Sequence, residues 1–219
     1  MDRARRNRRH RALGASSPPR VVVLLEGPSD VVAVRTLATA RGLDEADPTL
    51  RLVPMGGVTN IRRHLDAWLG QPDPPRVLGL CDVGEAGHVQ RALSAHGLLV
   101  PDLTAMGAVG FQVCTCDLED ELIRALGADQ ALAVLDDLAL GDRFAALQQQ
   151  PAWRGKPLQS QLRRFAGVAS GRKALLDTAL AAALTAEQVP PPLARLLDQV
   201  ESALVQPPRS AGIIPFNGH

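Results

Sequence analysis

Tyrosine is absent from the 219-residue chain, and aromatics of any kind make up only 3% of it. No mechanism with a tyrosine nucleophile is open to this protein. The core must instead be built from Leu, Val and Ala, which the 46% hydrophobic content supplies. Cysteine is scarce as well. Cys81, Cys114 and Cys116 are an odd set at interior, strand-like positions, which reads as reduced thiols in a cytoplasm and not as a disulfide framework. Cys114 and Cys116 would face the same side of a strand. No second Cys/His pair has matching spacing, so core packing is the simpler reading. No apolar stretch is long and uninterrupted enough to suggest a membrane span. A Gly-x-x-x-x-Gly-Lys-Ser/Thr phosphate loop is also missing.

Charge of one sign is nearly balanced overall, at +1, but not locally. Residues 1–11, "MDRARRNRRHR", hold six Arg and one Asp; the remainder has 18 basic and 22 acidic residues, a net of −4. The basic segment lacks a hydrophobic run after its arginines and so does not read as a secretory signal. It reads as a disordered arm over residues 1–19, with non-specific phosphate contact as its functional alternative.

What is present is an alternation of apolar runs and helical patterns. "VVVLLE" (21–26), "LRLVPM" (50–55), "RVLGLCD" (76–82) and "FQVCTCD" (111–117) are each followed by a helix signal. The first three are near-continuous apolar runs, as expected of strands covered on both faces. The pattern predicts a parallel α/β sheet over 20–126. After Gly127 strand signals stop. Five helical segments follow, "ADQALAVLDDLAL", "DRFAALQQQ", "PLQSQLRRFAG", "SGRKALLDTALAAAL" and "PPPLARLLDQVESAL", predicting a helical module over 127–205 and a loose tail over 206–219.

Acids gather at the strand ends: Glu26 after the first, Asp82 and Glu85 at the third, and Asp117, Glu119 and Asp120 at the fourth. In an open parallel sheet these carboxyl ends share one edge, where ligands bind at the switch point. The second strand instead leads into Gly56–Gly57, where backbone or a phosphate can approach closely. Converging carboxylates repel, and a hard divalent cation, Mg2+ or Mn2+, relieves the repulsion. The competing reading of any single acid is a helix cap or a favourable first-turn charge.

On these residues a resemblance becomes specific. "VVVLLEGPSDVVAV", "LVPMGGVTNI" and "VLGLCDVGEA" resemble the three successive motifs of a TOPRIM domain, the metal-binding domain of topoisomerases, primases and OLD-family (overcoming lysogenization defect) nucleases. "EGPSD", "PMGG" and "DLEDELIRAL" are most similar to the OLD branch, with a fainter echo at "SGRKALL". OLD proteins usually join this domain to an ATPase; without a phosphate loop, the chain reads as a stand-alone TOPRIM protein. The resemblance implies that Glu26 is a metal ligand and general acid/base, that Asp30 and Asp82 bind metal, and that Glu119 completes the cluster. One position departs from the pattern. Where TOPRIM domains carry Asp-x-Asp, Asp82-Val83-Gly84 ends in glycine, and Glu85 is next in line to substitute.

Between Asp142 and Asp177 there is no acid but seven basic residues, among them Arg163, Arg164, Arg172 and Lys173. A nucleic acid passing an acidic metal site needs such a surface. Trp153 and Phe165 lie among them as stacking candidates, although core anchorage is the more ordinary role. Ser170 reads as a helix N-cap, which puts Arg172 and Lys173 in a first turn where exposed cations cost about 0.3–1 kcal/mol each. The resemblance implies that a lysine from this region enters the site, here Lys173. The expected function is metal-dependent phosphodiester cleavage of DNA in the cytoplasm. The rival is a degenerate TOPRIM protein that binds a cation or nucleotide and partners a separate ATPase.

Overall fold

The computed structural model describes residues 18–43, 47–167 and 173–206. Residues 1–17 of the basic arm, Ser170, Arg172 and the tail from 207 lie outside the described residues. Four strands, β1 (Val21–Leu25), β2 (Leu50–Pro54), β3 (Arg76–Asp82) and β4 (Phe111–Cys114), form one parallel sheet in the order β2-β1-β3-β4. Val21 is in register with Leu50 on one side and Arg76 on the other, and Gly79 is in register with Phe111. The connection reverses direction between β1 and β3, so the switch point lies between their carboxyl ends.

All five residues of β1 are fully buried, as helices on both faces require. Val21, Val23 and Leu25 face one layer with Leu50, Leu52, Leu78, Leu80 and Cys114, while Val22 and Leu24 face the other with Val77, Cys81 and Phe111. This is the two-residue alternation of a pleated strand. The second face is covered by α2 (Ile61–Leu69), α3 (Ala86–Ala95) and α4 (Leu103–Val109). At Gly79 a Cβ would lie 2.6 Å from the Phe111 ring, so the aromatic side chain rests directly on β3 backbone.

The first face is covered by α1 (Pro28–Ala40) together with the C-terminal helices: α5 (Leu118–Leu126), α6 (Ala128–Asp137), α7 (Gly141–Gln149), α8 (Leu158–Gly167), α9 (Lys173–Ala183) and α10 (Pro191–Val205). Their apolar residues and that face of the sheet form one continuous core. α9 packs along α1, and α10 runs against β3 and β4. Arg41 at the end of α1 is tied to Asp198 of α10 at 2.6 Å.

The structure departs from the sequence expectations in two places. α4 carried no recognised signal, although Asp102 caps it by accepting from the Ala105 N–H at 2.8 Å. β4 stops at Cys114, not Asp117, because the Thr115 N–H leaves the ladder and donates to Glu121 at 2.7 Å. Cys116 is thus beyond the strand, and all three cysteines are free.

Candidate metal centre

Glu26 follows the last residue of β1, and two neighbouring turns fix its backbone. The N–H groups of Gly56 and Gly57 both donate to the Glu26 carbonyl, each at 3.0 Å. Those N–H groups are thereby committed, and what the Gly pair contributes is backbone shape: φ is +71° at Gly56 and +105° at Gly57, a region side chains rarely enter. The Asn60 amide fastens the turn by donating to the Met55 and Gly56 carbonyls. On the other side, α1 starts at Pro28, and Asp30 accepts from the Gly27 N–H at 3.0 Å. Asp30 is therefore a helix cap and a cleft residue at once. Its carboxyl is raised above the usual range by burial, against the pull of that hydrogen bond.

β3 delivers Asp82, and a 3-10 turn over Val83–Glu85 brings Glu85 back toward it. Glu26, Asp82 and Glu85 each offer an oxygen, and the three oxygens lie within 4.8 Å of one another. Full charges at that separation repel by about 3 kcal/mol per pair at an effective dielectric near 20, before further screening by water. The protein's response is visible in the acidities. Burial and then Glu85 raise Glu26. Burial, Asp117 and Glu26 push Asp82 up to about 7. One oxygen of Glu85, Oε2, is buried and has no hydrogen-bond partner among the described residues. No Arg or Lys forms an ion pair with these three acids among the described residues.

This donor set fits a hard divalent cation: three carboxylates, one buried oxygen without a hydrogen-bond partner and no ion-paired Arg or Lys among the described residues. Cys81 lines the same cleft, but burial pushes its thiol up to about 12, so it supplies no thiolate. Gly84 has open space where a side chain would be and an unstrained backbone.

The acids of the β4–α5 turn are arranged differently. Asp117 caps α5 by accepting from Asp120 N–H at 2.8 Å, and its other oxygen accepts from Arg163 Nε at 2.6 Å. Glu121 is ion-paired with Arg124. Asp120 accepts from Gln159 at 2.9 Å, lies 4.0 Å from Arg124, and is not among the residues lining the cleft. Glu119 alone of this group lines the cleft, joined there by Lys173 at the start of α9. Lys173 Nζ lies 2.6 Å from Glu119 Oε1, a carboxylate that is almost fully buried. Burial would lower the Lys173 pKa, but the Glu119 pairing overrides it and holds the ammonium above its ordinary range. The helix-end penalty inferred for Lys173 from sequence is therefore outweighed by an ion pair.

One cleft thus gathers Glu26, Asp30, Asp82, Glu119 and Lys173, with Glu85 bound into the cluster through Glu26 and Asp82. The basic segment is only partly turned to this purpose. Arg163 is engaged by Asp117, Arg164 stacks over Trp153 at 5.8 Å, and Phe165 packs edge-on against Phe144 in the core. Sequence reasoning missed Asp177. It is fully buried, both its oxygens lack hydrogen-bond partners among the described residues, and burial followed by Glu119 pushes its carboxyl up to about 8. The i, i+4 spacing from Lys173 on a helix was the available signal.

The sequence matches no protein-family model and no curated protein. Solved structures do match. The C-terminal region of the Burkholderia pseudomallei OLD protein superposes with a TM-score of 0.61 at 19% identity, covering 85% of this chain and 99% of that one. The C-terminal region of the Xanthomonas campestris pv. campestris OLD protein gives 0.62 at 22% identity, covering 85% and 94%. The fold is that of the OLD-protein C-terminal region, a TOPRIM-type α/β fold. At this identity the likeness speaks to architecture, and function has to be argued from the site.

Proposed function

We propose that this protein is a divalent-metal-dependent phosphoryl-transfer enzyme, a nuclease that cleaves phosphodiester bonds in DNA with Mg2+ or Mn2+. The observation that carries the reading is the convergence of Glu26, Asp82 and Glu85 oxygens within 4.8 Å at the sheet's switch point, with no ion-pair partner among the described residues. Glu26, Asp82 and Glu85 would hold one cation, and Asp30 and Glu119 face the adjoining part of the cleft. A bound cation supplies Lewis-acid stabilisation of phosphate oxygens and a more acidic water at neutral pH. Glu26, the most solvent-reachable acid with a raised pKa, is suited to take up a proton from the attacking water. Lys173, the cation among the described residues that line the cleft, would offset negative charge growing on the scissile phosphate.

Glu85 favours this reading over a degenerate, non-catalytic TOPRIM protein. Gly84 stands where TOPRIM domains carry the second acid, and Glu85, one residue later on the 3-10 turn, lies in the cluster and would make up for it. The test is cleavage of purified DNA with Mg2+, Mn2+ or chelator by the wild type, Glu26→Gln and Asp82→Asn. Cation-dependent cleavage lost in both folded variants supports the reading; equal cleavage by all three proteins rejects it.

A further inference from the structure

Asp177 has no role in the chemistry above, yet it is the most anomalous carboxyl in the described structure. It is 0% exposed, and neither oxygen has a hydrogen-bond partner among the described residues. It shares the buried face of α9 with Leu176, Leu180 and Ala181. Leaving a buried polar group unsatisfied costs about 1–3 kcal/mol, and more for a charge, so such a group calls for a compensating use. Its position suggests one. Asp177 stands one helical turn after Lys173, on the face of α9 that packs against α1 and α5, the helices carrying Asp30 and Glu119. Its helix begins with Lys173, which lines the cleft beside Glu119 and Asp30. Lys173 carries three N–H donors, and the one carboxylate in its ion pair is Glu119.

The two facts fit together if Lys173 has two carboxylate partners and uses one at a time. We propose that Asp177 is a positioning residue that receives the Lys173 ammonium when Glu119 turns to a divalent cation, so that the lysine stays in the cleft instead of competing with the metal. Glu119 cannot serve the ammonium and a cation equally, because both draw on the same oxygens. A second buried carboxylate one turn along the helix lets the side chain swing without leaving the site. This proposal rests on the cation-binding reading given above.

The first arm of the test needs no cation. Thermal unfolding of the full chain in chelator is measured for Glu119→Gln, Asp177→Asn and the double variant. Interchangeable partners predict a small loss for each single variant and a loss for the pair that exceeds their sum, because the half-buried ammonium then has no carboxylate. Adding Lys173→Met to the double should recover most of it. Additive losses overturn the proposal. Should Asp177→Asn fold poorly, Asp177→Leu, which matches the apolar surroundings, replaces it in the same cycle.

The second arm is Mn2+ affinity. Asp177→Asn should weaken Mn2+ binding about tenfold, within the usual range of coupling between sites, and Lys173→Met in that background should restore it. A purely structural Asp177 would not yield that restoration, so unchanged affinity overturns the handover even if the unfolding cycle is non-additive. A wild type that binds no Mn2+ rejects the cation reading itself and the handover with it, an outcome distinct from a wild type and Asp177→Asn that bind equally.

Discussion

Two groups of acids sit on the same edge of the sheet and have been treated differently by the fold. The acids of the β4–α5 turn each have a cation: Asp117 has Arg163, Glu121 and Asp120 share Arg124, and Glu119 has Lys173. The acids at the ends of β1 and β3, Glu26, Asp82 and Glu85, form no ion pair among the described residues, and they lie within 4.8 Å of one another. Asp117, Asp120 and Glu121 are thereby compensated and hold the turn in shape, while Glu119 lines the cleft of the second group. The second group is self-repelling as it stands, and under the proposed reading a bound cation would relieve it. Acid content alone does not separate them; the distribution of Arg and Lys does.

That contrast predicts opposite signs for similar substitutions. The largest effect should fall on activity. Glu26→Gln and Asp82→Asn should each reduce cleavage by about a hundredfold or more, yet raise the melting temperature in chelator, because each removes a repelling charge. A fall in melting temperature would place these acids in the structural group.

The next effect is on stability. Glu121→Ala should cost about 1–3 kcal/mol, since it strips the Thr115 N–H of its acceptor and Arg124 of its partner. Lys173→Ala should also lower stability by leaving Glu119 buried and unpaired. The sequence alone, which put this lysine at an unfavourable helix end, argued for a slight gain. Urea unfolding of both variants decides the sign.

A pH dependence follows from the same contrast. Asp82 and Asp177 titrate at about 7 and about 8 when folded, and Glu26 and Asp30 are also raised. Between the ordinary carboxyl range and those values the folded protein holds more protons than the unfolded chain. Its stability therefore declines as pH rises from about 4 to 8. Saturating Mg2+ should flatten the decline, because the cation takes the place of the protons. Melting curves at pH 5 and pH 8, with and without Mg2+, measure this directly. A chelated protein that gains stability toward pH 8 would show that the shifts have the wrong sign.

The smallest effect should come from Gly84. The open space there and its ordinary backbone should admit Asp without loss of folding. Glu85→Gln should weaken Mn2+ binding, and Gly84→Asp in that background should restore it, with little change when Glu85 is intact. Failure to rescue would mean that Glu85 does not occupy the role left by the missing acid.

Much of this was legible in the sequence, for identifiable reasons. Buried parallel strands are continuous apolar runs, so β1, β2 and β3 could be bounded to within a residue, and their ends located Glu26 and Asp82. Glu85 followed from the gap at Gly84. The less legible features depend on long-range contacts. Phe165 lies in a basic stretch but is claimed by Phe144 and the core. Arg163 looks free until Asp117 is brought beside it from 46 residues away. The length of β4 is set by Glu121, which withdraws Thr115 from the ladder. Asp177 could be placed on a helix with Lys173, but its complete burial depends on how α9 lies along α1.

The central claim is that the uncompensated acids form a cation site, and equilibrium Mn2+ binding tests it most directly. Calorimetric titration at pH 8 should show saturable binding to the full chain that is lost in the Glu26→Gln, Asp82→Asn and Glu85→Gln triple variant and retained in Glu121→Gln. Binding that survives in the triple variant, or a wild type that takes up no Mn2+ at millimolar concentration, would contradict it.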